Sequence, residues 1–307
     1  MDIRSLTHFQ KVAELGSITR AAEDLGMVQP GVSRDIALLE RELGAKLFTR
    51  LPRGMQLTEP GRILHQRALA LIRQISDLRE DIAAESSAPS GRVSLGLPIS
   101  MIDVLTAPFV ERFTRAFPRV LLNVYEGISD QLEALVRHGA VDIAILIALR
   151  RPIRNADVRP LMTEQLYLIG PRSSGLSLKR PVGWTSLNGR VMILHSPPNY
   201  LRLRLDQVTH QLGLDFRVAA EVSTLPLMLR LVEKGVGCAV MPLCAIRQAL
   251  SENRLSAAPM RNVYVTWTLA VTRDRPDARG IPEAVRIINE MINEQARRGA
   301  WTPRRSA

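Results

Sequence analysis

The sequence predicts an α/β protein headed by a short all-α segment, two domains in a chain of 307 residues. Three observations predict it. Apolar residues in the first 45 positions recur at helical spacing only; a stretch free of Gly and Pro, from Arg62 to Glu85, steps in heptads; and beyond Arg92 strand-like and helical runs alternate. The length suits two domains of roughly 100–200 residues each.

In residues 4–15, Leu6, Phe9, Val12, Ala13 and Leu15 mark a helix that Gly16 closes, and Ser17 is placed to cap the next. The second helix, Thr19–Leu25, buries Ala21, Ala22 and Leu25 and ends at Gly26. A third starts near Gln29-Pro30, with proline suited to a first turn, and turns Val32, Ile36, Ala37, Leu39 and Leu43 inward. Two short helices about a tight glycine turn form the helix-turn-helix plan. Phe48–Thr58 reads as two short strands around Pro52-Arg53-Gly54, a basic wing.

From Glu59 to about Glu85 a long helix is expected, its residues Leu64, Ala68, Leu71, Ile75, Leu78 and Ile82 forming an a/d seam. Pairing of that seam with a second copy is the economical way to bury it, with packing on the rest of its own chain as the alternative. Ser86–Gly91 is a hinge by composition. Strand-like runs then follow at Val93–Leu97, Val120–Tyr125, Asp142–Ile147, Gln165–Ile169, Val191–His195, Arg217–Val222, Cys238–Met241 and Tyr264–Thr272. Helical stretches lie at 106–116, 129–138, 199–212, 225–234, 242–250 and 282–297. The alternation predicts mostly parallel sheets with helices on both faces, and a ligand site outside the carboxyl ends of the strands.

Composition narrows the function classes. Net charge is +11, yet residues 1–87 carry 12 of the 41 Lys/Arg and 12 of the 30 Asp/Glu, so the excess belongs to the remainder. Bulk charge therefore does not argue for nucleic-acid binding, and local arrangement has to. Two cysteines, Cys238 and Cys244, make no disulfide framework and have no His/Cys cluster at ligand spacing, so no metal and no cofactor is expected. The amino terminus lacks an apolar signal segment and no run approaches the ~20 residues of a membrane span, which predicts a cytoplasmic protein without membrane partners. A secreted solute-binding protein should have the opposite features. There is no G-x-S-x-G elbow, P-loop, H-E-x-x-H or dinucleotide fingerprint, so no enzyme is expected.

The segment Phe9, Gly16-Ser17-Ile18-Thr19-Arg20-Ala21-Ala22, Leu25, Gln29-Pro30-Gly31-Val32-Ser33-Arg34, Leu39-Glu40, Leu43-Gly44, Leu47-Phe48, Arg50, Gly54, Leu57-Thr58-Glu59 and Gly61 resembles the DNA-binding domain of LysR-type transcriptional regulators. Glu126-Gly127, Leu132, Gly139–Ala144, Gly235-Val236-Gly237 and Met241-Pro242 resemble the family's effector domain. The resemblance implies a winged helix-turn-helix over 1–58, a dimerising linker helix over 59–87, and a regulatory domain over 88–307 folded like a type 2 periplasmic binding protein. Its lobes would span about 92–162 with 268–298, and about 163–267, with crossovers near Arg159–Thr163 and Val265–Thr268. Implied partners are double-stranded DNA, a small-molecule effector between the lobes, and further copies of the chain as a dimer and a homotetramer; RNA polymerase is left open as another. Two positions depart from the family: Val28 stands where a capping Ser or Thr is usual, and Gly31 where Ala is common.

Within that frame Gln29, Pro30, Ser33 and Arg34 fall on the first turns of the recognition helix, where donors and acceptors reach base edges. Thr19 and Arg20 suit phosphate contact, and Arg50 and Arg53 flank the wing. For the effector, Ser100, Ser129, Asn199 and Thr224 sit at loop-to-helix starts, where hydroxyl or amide groups and free N–H groups favour an anion, and Ile102 and Ile147 supply apolar walls. Arg202 and Arg204 read as solvated surface, with an anionic effector as the alternative for one of them; His195 reads as a structural histidine, with the cleft wall as its alternative, and Cys238 as core.

Overall fold

A computed structural model describes the chain apart from residues 52–53, 84–88, 148–151, 274, 276–277, 298–300 and 304–307, and apart from the side chains of 66, 73–74, 76–83 and 302–303. The chain divides into two compact units, residues 1–86 and, except for the stretch 138–140, residues 87–307.

The first unit opens with α1 (Ile3–Leu15), α2 (Ile18–Asp24) and α3 (Gln29–Leu43). Asp2 caps α1 by accepting from the Ser5 N–H, and Gly16 ends it in the left-handed conformation at φ 61°. Phe9, Val12, Ala21, Ala22, Val32, Ile36 and Leu39 form the core, while Ala37 and Leu43, expected inside, face solvent. Their predicted burial fails because α3 offers the core only a narrow stripe. After α3, the Glu40 carboxylate accepts from the Leu47 N–H at 2.9 Å and from Lys46 Nζ at 2.6 Å. Partial burial pushes this carboxyl up, but those donors outweigh it and hold it below the usual range. The chain then enters the wing, β1 (Phe48–Leu51) paired antiparallel with β2 (Gly54–Leu57).

The unit ends in α4 (Glu59–Ala83). At Gly61 a Cβ would lie 2.0 Å from the Leu47 carbonyl oxygen, so only glycine lets α4 start against the chain leading into the wing. The expected seam divides. The fully buried Ala68 packs into the unit's own core with the half-buried Leu64 and Ile72 beside it, so Ala68 is not free to face a second copy. Leu71 is 40% exposed and Ile75 half-buried, while the side chains of Leu78 and Ile82 lie outside the described residues. The 25-residue helix outruns the three-helix core it starts on, which is why one apolar line serves two environments.

The second unit carries β3 (Gly91–Pro98), α5 (Ala107–Ala116), β4 (Val120–Gly127), α6 (Ser129–Arg137), β5 (Ile143–Ile147), β6 (Ala156–Pro171), β7 (Val191–His195), α7 (Tyr200–Gln211), β8 (Arg217–Val222), α8 (Leu225–Glu233), β9 (Ala239–Pro242), α9 (Leu243–Ser251), β10 (Leu255–Thr272), α10 (Gly280–Arg297) and β11 (Thr302–Pro303). The larger sheet runs β11-β6-β10-β5-β3-β4. β3 pairs parallel with β4 and β5, and β7 parallel with β8. The expectation of mostly parallel pairing needs correction at β6 and β10, which run antiparallel to each other, to β5 and to β9. These two long strands are the crossovers. The end of β10 pairs with β5 in the first lobe, and Leu166–Ile169 of β6 pair with β9 in the second. A strand shared between lobes must return, and that return forces antiparallel pairing.

Core residues Val93, Leu95, Phe109, Phe113, Ile143, Ile287 and Ile288 fill the first lobe between sheet and helices, and Ile193, Met228, Val232, Met241 and Ile246 fill the second. Both cysteines are buried and unpaired. Among the described residues no helix is long and apolar enough to cross a membrane.

Candidate functional sites

In the first unit, the Ser17 hydroxyl accepts from the Arg20 N–H at 3.3 Å and caps α2. Thr19 and Arg20 are exposed at the start of that helix, and the Arg20 guanidinium donates to the Leu15 carbonyl at the end of α1. Val28 precedes α3 in an extended conformation, 74% exposed, and makes no capping hydrogen bond. Pro30 contributes no N–H, and the Gly31 N–H reaches the Val28 carbonyl at 3.0 Å. Gln29, Pro30 and Arg34 are exposed and Ser33 half-buried, while Val32, Ile36 and Leu39 bury the other side of α3. The helix thus offers an amide, a hydroxyl and a guanidinium from its first two turns. Arg50 is exposed on β1; Arg53 lies outside the described residues.

In the second unit a cleft open on one side lies where the two lobes meet. Ser100, Ser129, Ile147 and Asn199 all line it, which brings together four of the six residues expected there. Each polar one has a local role. Ser129 Oγ accepts from the Ile147 N–H at 2.8 Å, tying the start of α6 to the end of β5. Asn199 Oδ1 accepts from the N–H groups of Leu201 and Arg202 and caps α7. The Ser100 hydroxyl lies against the Cys244 thiol, which burial and the nearby Glu164 carboxyl hold protonated.

Two expectations are corrected. Ile102 lines a neighbouring groove with Asp103, Leu229 and Arg254 instead of the cleft. After β3 the chain makes a 3-10 turn at Ile99–Met101 and a wider turn at Ile102–Thr106, which carries Ile102 past the cleft and leaves Ile99 on its wall. Thr224 stands at the start of α8 but is exposed, caps nothing with its side chain and lines none of the described cavities; Leu225 takes the cleft position.

Further lining residues went unread. Asp130 and Tyr200 follow Ser129 and Asn199 directly, and reading two residues at each helix start would have found them. Trp267 has no local signal, because pairing of β10 with β5, opposite Ile147, and with β6 brings it there. Its indole N–H donates to Glu164 Oε2 at 2.7 Å, and the Cys244 N–H donates to Oε1 at 2.7 Å. Burial pushes the Glu164 carboxyl up despite those donors. His195, expected to be structural, also lines the cleft, and burial lowers its pKa to about 4, so a neutral imidazole is presented at physiological pH. Arg202, expected to be solvated, is clamped by Asp206 at 2.8 Å, Glu221 at 2.6 Å and the His195 carbonyl at 3.1 Å.

The amino ends of α6, α7, α8 and α9 therefore open on one cleft through Ser129, Tyr200, Leu225 and the preceding Pro242. Its described lining contains no Lys or Arg, and Asp130 is its one acidic residue. At α7 and α9, side-chain oxygens of Asn199 and Glu164 already accept from N–H groups of the first turn.

Residues 3–62 match the family description "Bacterial regulatory helix-turn-helix protein, lysR family", and residues 86–293 match "LysR substrate binding domain". The HTH-type transcriptional regulator BbuR of Bordetella bronchiseptica is 27% identical over 98% of this chain and 93% of its own. The nitrogen assimilation regulatory protein nac of Escherichia coli is 29% identical over 80% of each. Full-length CbnR, solved in complex with its target DNA, has a TM-score of 0.66 at 20% identity, covering 96% of this chain and 99% of that one. Two matched segments in the family's order, over the two units just described, leave one conclusion: the chain belongs to the LysR family of transcriptional regulators, DNA-binding proteins with an effector-binding domain, and is not an enzyme.

Proposed function

We propose that α3 reads an operator in the major groove through Gln29, Pro30, Ser33 and Arg34, with Thr19, Arg20, Arg50 and Arg53 placed for phosphate contact. Two copies pair through α4 beyond Ala68, and two such dimers form a tetramer. A small anionic effector binds between the lobes and shifts the promoter contacts; at an activated promoter RNA polymerase is the further partner. The observation that carries the effector reading is the convergence of four helix amino ends on one cleft. A carboxylate held by the Ser100 and Ser129 hydroxyls fits this cleft, and Ile99, Ile147 and Leu225 suit an apolar body.

The test is selection of sheared genomic DNA by the full chain at about 0.15 M salt, where phosphate binding alone is weak. Sites sharing an interrupted palindrome are expected. Monocarboxylates from the pathways encoded beside those sites should then raise the melting temperature of the second unit within the full chain. Even recovery of all DNA refutes the reading of α3. A thermal response to cations but not to carboxylates refutes an anionic effector.

A further inference from the structure

The start of the recognition helix is weakly held from its own end. Val28 supplies no cap, Pro30 no donor, and Gly31 adds backbone freedom. Apolar contacts from Val32, Ile36 and Leu39 set the depth of α3, and the Glu40 carboxylate ties its carboxyl end to the Leu47 N–H; of these contacts only packing bears on the rotation of the amino end. A directional bond comes from elsewhere. His8 on α1, its side chain only 6% exposed, places Nδ1 2.8 Å from Oδ2 of Asp35, beside Arg34. Arg4, one turn earlier on α1, puts Nε 3.5 Å from the same oxygen. The bond joins positions 27 residues apart and lies between α1 and α3.

From this we infer that His8 and Asp35 are positioning residues for DNA reading, fixing the rotation of α3 and with it the aim of Gln29, Ser33 and Arg34. The inference rests on the reading of α3 as the operator-contacting helix. A turn of about 20° moves a side-chain tip about 6 Å from the helix axis by about 2 Å. That exceeds the tolerance of a hydrogen bond to a base edge, whereas phosphate contacts by flexible arginines follow the shift. Loss of the bond should therefore reduce discrimination more than total affinity.

The experiment compares full-length variants on two probes: a duplex bearing a palindrome recovered from genomic DNA, and a duplex of equal length and composition in shuffled order. His8→Phe keeps the buried volume and removes the ring nitrogens; Asp35→Leu removes the acceptor; Asp35→Asn removes the charge but keeps a partner for His8. His8→Phe and Asp35→Leu are each expected to lower the specific-to-shuffled affinity ratio by about tenfold, and the double variant no further. Asp35→Asn should keep the ratio within about threefold. A ratio unchanged in Asp35→Leu, or lost equally in Asp35→Asn, overturns the inference, and those two variants decide it even if His8→Phe does not fold. A wild-type chain that prefers neither duplex refutes the reading of α3 itself, and the inference falls with it.

Discussion

At the scale of single residues, two features make measurable claims. Gly31 sits within the first turn of α3, and a Cβ there would meet only Met27 Cε, at 3.4 Å. Gly31→Ala should stabilise the first unit by about 0.5–1 kcal/mol, read from its denaturant midpoint, and an unchanged midpoint would show that this turn is not helical in solution. His195 is neutral in the folded chain, with its pKa depressed from 6.5 to about 4 by burial. Below pH 6.5 the unfolded chain gains a proton that the folded chain refuses. The stabilisation is thus complete above pH 6.5 and is lost as pH falls towards 4, to a total of about 3 kcal/mol. Burial raises the Glu164 carboxyl, which acts in the opposite sense, but it is common to both chains when wild type is compared with His195→Gln. The variant should lose less stability between pH 6.5 and 4; parallel curves would mean a solvated imidazole.

At the scale of elements, α4 is the informative case. Ala68→Leu should overpack the first unit's core and cost about 1–3 kcal/mol without changing assembly. Leu71→Asp should leave folding intact and, by breaking the α4 pair, lower the assembled mass in sedimentation below that of the tetramer. A reversal of those two effects would place the pairing surface elsewhere. Heptad spacing reveals that this line of residues is buried, but not by what, because self-pairing and intrachain packing produce the same period. The first three helices were legible because their spacing, caps and glycine stops are local. The early parts of β6 and β10 were not. Pro160 and Pro259 lie inside them and argue against a strand, yet each stands beside a register shift, between Trp267 and Thr268 or between Pro259 and Tyr264, where the ladder is already interrupted. Cleft residues at helix starts could be read from sequence; Trp267 required a partner strand about a hundred residues away.

At the scale of the whole molecule, regulation requires that the cleft and α3 share a free energy. If a monocarboxylate tightens operator binding by some factor, operator DNA must tighten carboxylate binding by the same factor. Titration of one ligand with the other present checks this, and unequal factors would mean that the two measurements sample different assemblies. Charge separates the tasks, since residues 1–87 carry none net and the remainder carries +11. Net charge therefore adds no general pull on DNA from the first unit, and the local placement of Arg20, Arg34 and Arg50 has to supply it.

The two lobes are joined by a ribbon of two strands hydrogen-bonded along their length, not by slack loops. Such a joint behaves as a torsion bar: it resists opening and yields to twist, most readily where the ladder skips. One skip falls between Trp267 and Thr268, and Trp267 is among the residues that line the cleft. A molecule held in the cleft therefore lies beside one of the two skips, so occupancy should be felt as a rotation of one lobe on the other, with slowed hydrogen exchange at Thr266–Leu269 as its signature.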